Sequence, residues 1–223
     1  MARQLRLGLR RPAPHTRDAF VTGASNAGAV AALDSWPNWP GGTLALAGPE
    51  GVGKTHLARA WAASHRAMVL DRENPDIAAA EGRPALLEDV DRGVDDEALF
   101  HLINLAAHEG ASLLLTARTR PAAWAATLPD LRSRLNALTV AEISAPDDDV
   151  LSGVLRNFFR ERNIKPHEDV YPYLLKRMER SIAGAREVVR RLDETEDAEI
   201  RPVSRVLARQ ILETDIENLD LFD

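Results

Sequence analysis

Residues 43–57 run Thr-Leu-Ala-Leu-Ala-Gly-Pro-Glu-Gly-Val-Gly-Lys-Thr-His-Leu, an apolar strand that enters a glycine loop and leaves it as a helix. The loop has the form G-x-x-x-x-G-K-T, with Gly48, Gly53, Lys54 and Thr55 at the defining positions. Glycines let successive backbone N–H groups curl inward toward phosphate oxygens, and the following helix adds its positive N-terminal end. In such a loop the lysine reaches the β- and γ-phosphates and the threonine hydroxyl ligates Mg²⁺. Pro49, Glu50, Gly51, Val52, Gly53, Lys54, Thr55 and His56 are therefore the expected cradle for a nucleoside di- or triphosphate.

The chain has 223 residues, enough for one large domain or a core with a small appendage, and its 45% hydrophobic content suits an ample core. No apolar run approaches the length of a membrane span, and the N-terminus lacks a signal-peptide pattern. The absence of cysteine excludes disulfides and thiolate-held metal, and a cytoplasmic location fits best. A net charge of −6 argues against a DNA-binding footprint for the whole chain. The charge is uneven: Arg3, Arg6, Arg10, Arg11 and Arg17 stand in an acid-free stretch, whereas residues 193–223 hold ten acids.

Pro12 and Pro14 deny a helix to residues 1–17, read as an extended, mobile arm. Ser25 is placed to cap a helix through about Trp36, closed by Pro37 and the Pro40-Gly41-Gly42 turn. Strands are predicted near 43–47, 67–70, 84–88, 112–116 and 138–143. Helices are predicted near 54–64, 95–109 and 130–136, with a short one from Pro121. This alternation indicates an α/β fold, a five-stranded parallel sheet covered on both faces. After Pro146 no strand pattern recurs, and helices near 147–163, 168–179, 182–193 and 203–213 read as a small all-α unit. Asp147, Asp148 and Asp149 favour the start of the first against its dipole.

Three further segments narrow the chemistry. Pro84-Ala85-Leu86-Leu87-Glu88-Asp89 is a buried-type strand ending in two carboxylates, the kind that hold Mg²⁺ through water and polarise an attacking water. Ser112-Leu113-Leu114-Leu115-Thr116 sets a hydroxyl at the tip of the next strand, where Thr116 either orients the hydrolytic water or caps the chain. Leu131-Arg132-Ser133-Arg134-Leu135 presents arginines on a short helix, and an arginine against a γ-phosphate is worth about 10³–10⁵ in rate.

The order of loop, acidic strand, polar strand tip and arginine, with a helical lid behind it, resembles the AAA+ ATPases over about residues 18 to 213. Within them it looks most like the bacterial initiator DnaA and its shortened relatives. Ala19-Phe20-Val21-Thr22-Gly23-Ala24-Ser25-Asn26 is similar to the DnaA segment that packs on adenine, with Phe20, Val21 and Asn26 in the base-contacting positions. The resemblance makes Glu88-Asp89 the Walker B pair and Thr116 sensor 1. It makes Arg134, the second basic residue of Arg132-Ser133-Arg134, the arginine finger.

Two departures stand out. Glu88 replaces the usual aspartate, which alters metal geometry, with Thr55 and Asp89 left as the expected Mg²⁺ ligands. In the lid, Ala183 falls where the relatives carry the sensor 2 arginine, leaving Arg186 or Arg180 to substitute. Weak or absent ATP hydrolysis in cis is expected, with ADP or ATP bound.

DnaA continues past its lid into a DNA-reading domain, whereas this chain runs to an acidic tail. Gln4-Leu5-Arg6-Leu7-Gly8-Leu9 is similar to peptides that dock on the β sliding clamp, with Gln4 for hydrogen bonds and Leu5, Leu7 and Leu9 for apolar pockets. The segment Leu219-Asp220-Leu221-Phe222 has a related pattern. Together these resemble the Hda family of DnaA inactivators. That resemblance implies an arm at 1–17, a core at 18–145, a lid at 146–213 and an acidic tail at 214–223. The implied partners are DnaA, met through Arg132 and Arg134, and the polymerase III β clamp, with self-association left open. A helicase loader of the DnaC type is the competing reading, and a small-molecule kinase a weaker one.

Overall fold

The structure, a computed structural model, describes residues 15–108, 110–194 and 203–210. Five strands, β1 (Thr43–Ala47), β2 (Met68–Leu70), β3 (Pro84–Leu87), β4 (Ser112–Ala117) and β5 (Thr139–Glu142), form one sheet. Its order is β2-β3-β4-β1-β5, and every pairing is parallel. All residues of β1 and β4 are buried, as continuous apolar strands of a doubly covered sheet must be.

Alternation along the strands divides the core into two layers. Leu44, Leu46, Leu86 and Leu114 face α1 (Ala27–Asp34) and α2 (Lys54–His65), meeting Val30, Leu33, Leu57 and Trp61. Ala45, Leu87, Leu113 and Leu115 face α3 (Asp96–Ala106) and α4 (Pro129–Ala137), meeting Leu102, Ile103, Leu131 and Leu135. α2 and α4 therefore lie on opposite faces of the sheet.

Beyond β5, α5 (Asp148–Glu161), α6 (Val170–Leu175), α7 (Ile182–Glu194) and a helical segment at 205–210 share a core of their own. Leu151, Leu155, Phe159, Leu174, Val189 and Leu192 are its centre. Asp147 caps α5 by accepting from Val150 N–H at 2.8 Å. The rest of the expected 203–213 helix, the 214–223 tail, and residues 1–14 of the arm fall outside the described residues. Among the described residues no helix is long and apolar enough to cross a membrane.

Several expected boundaries move. Ser25 does not cap α1: Asn26 occupies that position, and the Ser25 N–H is held at 2.9 Å by the Asp147 carboxylate. α1 stops at Asp34, short of Trp36, whose indole N–H turns away to donate to Ser112 Oγ at 2.8 Å. The element at Pro121 is a single 3-10 turn through Ala123. α6 is shorter than the span 168–179 because Arg177 and Met178 both return their N–H groups to Leu174 O.

Candidate functional site

The glycine loop leaves the C-terminal end of β1 between its two neighbours. Gly48 N–H donates to Ala117 O of β4 at 3.3 Å, and Ala47 O accepts from Ile143 N–H, just past β5, at 2.8 Å. Gly48 is required by close approach, since a Cβ there would lie 2.2 Å from Ile143 O. Gly53 is required by conformation, with φ of 101°, and by the Phe20 ring, 3.1 Å from where its Cβ would stand. Val52 is buried in the core beneath the loop. Pro49, Glu50 and Gly51 form its rim, and the first N–H groups of α2, at Lys54, Thr55 and His56, face outward from its end.

Lys54 is 7% exposed and curls back onto the loop, its Nζ donating to Gly48 O and Pro49 O at 2.7 Å each. Burial lowers its pKa, and the carboxylates of Asp89 and Asp91 oppose that shift. Thr55 is exposed at the mouth.

The acidic strand end is more committed than its sequence suggested. Glu88 Oε2 accepts from Arg59 Nε at 2.8 Å, and its Oε1 is buried without a hydrogen-bond partner among the described residues. Arg59 lies one turn after Thr55 on the same face of α2. Asp89 has left-handed backbone (φ 54°), its N–H donates to Thr116 Oγ1 at 3.1 Å, and its carboxylate lies 3.6 Å from Arg92. Thr116 is buried; of the two roles open to it, the structure displays the cap, holding Asp89 in place. At the other rim Arg118 pairs with Glu50 at 2.7 Å, and its N–H donates to Asp91 Oδ2 at 2.9 Å. Arg59, Asp91 and Arg118 were not singled out from sequence. Their only signals are one-turn spacing from Thr55 and proximity to the two strand tips.

The described residues contain no group of three or more His, Asp or Glu side chains able to hold a metal. Of the paired carboxylates, Glu88 faces a guanidinium, and Asp89 has one 3.6 Å away. The Glu88 and Asp89 carboxylates are thus met by guanidinium groups, while Thr55, the other expected Mg²⁺ ligand beside Asp89, stays exposed at the mouth.

Residues 15–26 run across the loop and join it to the helical unit. Phe20 packs edge-on to His56 with centroids 5.7 Å apart, while His15 meets the same ring at 5.1 Å. His56 Nε2 lies 2.9 Å from Thr16 O. Burial first, then the charges of His56 and Arg59, lower the pKa of His15. Val21 packs into the notch at Gly153 of α5, and Asn157 Nδ2 donates to Ala19 O at 3.1 Å. Asn26 Oδ1 accepts from Gly23 N–H and its Nδ2 donates to Val21 O, both at 2.9 Å. Its amide shapes the turn.

α7 begins over the loop, with Ile182 Cδ1 3.7 Å from the Cβ position of Gly53. Arg186, one turn on and on the same face, is exposed and lies over the Phe158 ring at 5.1 Å. Its charge also contributes to lowering the pKa of His15, which sets it near the loop. Arg180 is tied to Asp148 at 2.6 Å, and Ala183 is exposed.

Arg132 and Arg134 belong to α4. The Arg132 guanidinium donates to Ala126 O at 2.8 Å and ties the helix to its own leading loop. Arg134 is exposed, lies 5.2 Å above the Phe100 ring of α3 and makes no ion pair with any described residue. Gln4, Leu5, Leu7 and Leu9, with the segment Leu219–Phe222, lie outside the described residues.

A parallel sheet of this order, a glycine loop at the end of its central strand and helices clustered beyond its last strand make an AAA+-like α/β fold. No protein-family model matches the chain. The chromosomal replication initiator protein DnaA of Flavobacterium psychrophilum is 23% identical over 248 residues, covering 97% of this chain and 52% of that protein. The chain thus spans about half the length of the curated relative it matches. Domain III of the Thermotoga maritima replication initiation protein DnaA matches with a TM-score of 0.73 at 18% identity, over 91% of this chain and 97% of that one. AMPPCP-bound DnaA from Aquifex aeolicus matches at 0.65 and 20% identity, over 83% and 67%. The domain is DnaA-like in fold.

Proposed function

We propose that this domain binds an adenine nucleotide, ADP or ATP, and stimulates ATP hydrolysis by DnaA by inserting Arg134 into the γ-phosphate site of that partner, so that replication is not re-initiated. One observation carries the reading. Arg134 is exposed and without a carboxylate partner among the described residues, on the sheet face opposite α2 and its loop. It also lies in the last turn of α4, just before β5 begins, whereas the loop leaves the far end of the parallel strand β1. A guanidinium so placed cannot serve its own phosphates and is free to serve a neighbour's.

Nucleotide binding draws on the loop N–H groups, Lys54 and the start of α2, with Phe20, Val21 and Arg186 closing the site from the lid side. The solved DnaA bound to AMPPCP supports a nucleotide of this kind. Turnover in cis is weak in this reading, because Glu88 is paired with Arg59. Docking of Gln4, Leu5, Leu7 and Leu9 on the β sliding clamp raises the effective concentration of the domain near DnaA without any new contact.

The test is to mix the chain with DNA-loaded clamp, ADP and ATP-bound DnaA, and to count phosphate released. Wild type stimulates release. Arg134→Ala keeps ADP binding and its melting temperature but loses stimulation by at least about 10³-fold if it acts as an arginine finger. Stimulation by the variant at the wild-type level overturns the assignment.

A further inference from the structure

We infer that Arg59 takes the place of a divalent cation beside the phosphates, so that this site binds nucleotide without needing metal. The inference rests on the nucleotide reading above and deepens it. Three carboxylates at the mouth of the loop already have a guanidinium: Glu88 has Arg59 at 2.8 Å, Glu50 has Arg118 at 2.7 Å and Asp89 has Arg92 at 3.6 Å, while Asp91 Oδ2 accepts the Arg118 backbone N–H at 2.9 Å. In a phosphate loop a dication is held by the loop hydroxyl, the phosphates and a strand-end carboxylate, and here the strand-end pair Glu88 and Asp89 is met by guanidinium groups before any cation arrives. Binding metal at Glu88 requires expelling Arg59, and the expelled guanidinium, anchored on α2, stays beside a like-charged ion.

The second oxygen of Glu88 gives a cation no easier route. Oε1 is buried, and Arg59 holds Oε2. Arg59 itself is half exposed, with its side chain 51% accessible. It stands one turn beyond Thr55, on the face that a β- or γ-phosphate on the loop would meet. Its fork has five donors, and Glu88 takes the Nε–H, leaving the outer NH₂ groups for phosphate oxygens. One residue thus neutralises the strand-end carboxylate and offers cationic donors to the ligand.

The experiment is calorimetric titration of ADP into the full chain, in Mg²⁺ and again with excess chelator. For wild type the two dissociation constants should agree within about threefold, and for Arg59→Ala chelation should weaken binding by about tenfold or more while Mg²⁺ restores it. Arg59→Gln, which keeps most of the stem packing, should behave as Arg59→Ala and guards against a folding defect. A wild-type affinity that falls tenfold or more on chelation overturns the inference, as do arginine variants that bind ADP as tightly as wild type in chelator. Failure of wild type to bind ADP in either buffer overturns instead the nucleotide reading on which the inference stands.

Discussion

Gly153→Ala tests whether residues 19–23 couple the lid to the phosphate loop. Gly153 lies inside α5, where replacing glycine by alanine alone should stabilise the helix by about 0.5–1 kcal/mol. Here the new Cβ would fall 2.6 Å from Val21 Cγ1 and 3.2 Å from Cγ2. Val21 must move, and forcing a methyl into a filled notch costs about 1–3 kcal/mol. The overpacking outweighs the propensity, leaving a net loss near 1 kcal/mol, or a melting temperature lower by about 2–4 °C. Because Val21 follows Phe20, whose ring lies against Gly53, the same displacement should weaken nucleotide binding several-fold. The assays are urea or thermal unfolding and titration with a fluorescent ADP. Adding Val21→Ala empties the space the methyl needs, so the double variant should be more stable than the sum of the single effects predicts. A Gly153→Ala protein that melts at or above wild type with unchanged affinity would refute the coupling.

Lys54→Ala should weaken ADP binding by at least about tenfold in calorimetry, since it removes a charge-assisted phosphate contact, and an unchanged isotherm would remove the loop from the site. Asp147→Ala should lose about 1–3 kcal/mol in denaturant unfolding, because it frees the N–H groups of Val150 and Ser25. Those two hydrogen bonds also hold the Asp147 carboxyl below the usual carboxylate range. Its contribution is therefore present above the unfolded pKa of about 3.9 and lost as pH falls through the lower folded value, so the variant should show a shallower loss of stability in acid. Gln4→Ala should leave ADP binding intact and abolish the clamp-dependent part of DnaA stimulation in the phosphate assay, and equal stimulation by the two proteins would refute docking through that residue.

The sheet was legible because its central strands are unbroken apolar runs, such as Leu113-Leu114-Leu115, and need no distant information to be recognised. The phosphate loop was legible for the same reason, being a local pattern of glycines and one lysine. What sequence could not reveal is which polar atoms the fold spends on itself. Asn26 has the residue type for a base contact, yet its amide closes the Gly23 turn. Ser25 has the type for a helix cap, yet its N–H is drawn to Asp147, 122 positions away. Glu88 has the type for a metal ligand, but Arg59 claims it from 29 positions upstream. Each outcome is a competition among hydrogen-bond partners that only the packed chain brings together.

The same competition separates Arg59, Arg118, Arg132 and Arg134 by energy. Arg59 and Arg118 are held by carboxylates at 2.8 and 2.7 Å, and Arg132 by a backbone carbonyl. Among the described residues Arg134 has only the Phe100 ring, a contact worth about 0.5–1 kcal/mol at an exposed position. A charge-assisted hydrogen bond to an anion is worth about 1.5–3 kcal/mol, and a guanidinium can make two at once. Phe100 therefore orients Arg134 without trapping it, and a partner's phosphate outbids the ring. Moving Arg118 from Glu50 to an external anion would instead exchange one charged pair for another, with little net gain. This difference in what each must give up supports the proposed action of Arg134 on another molecule.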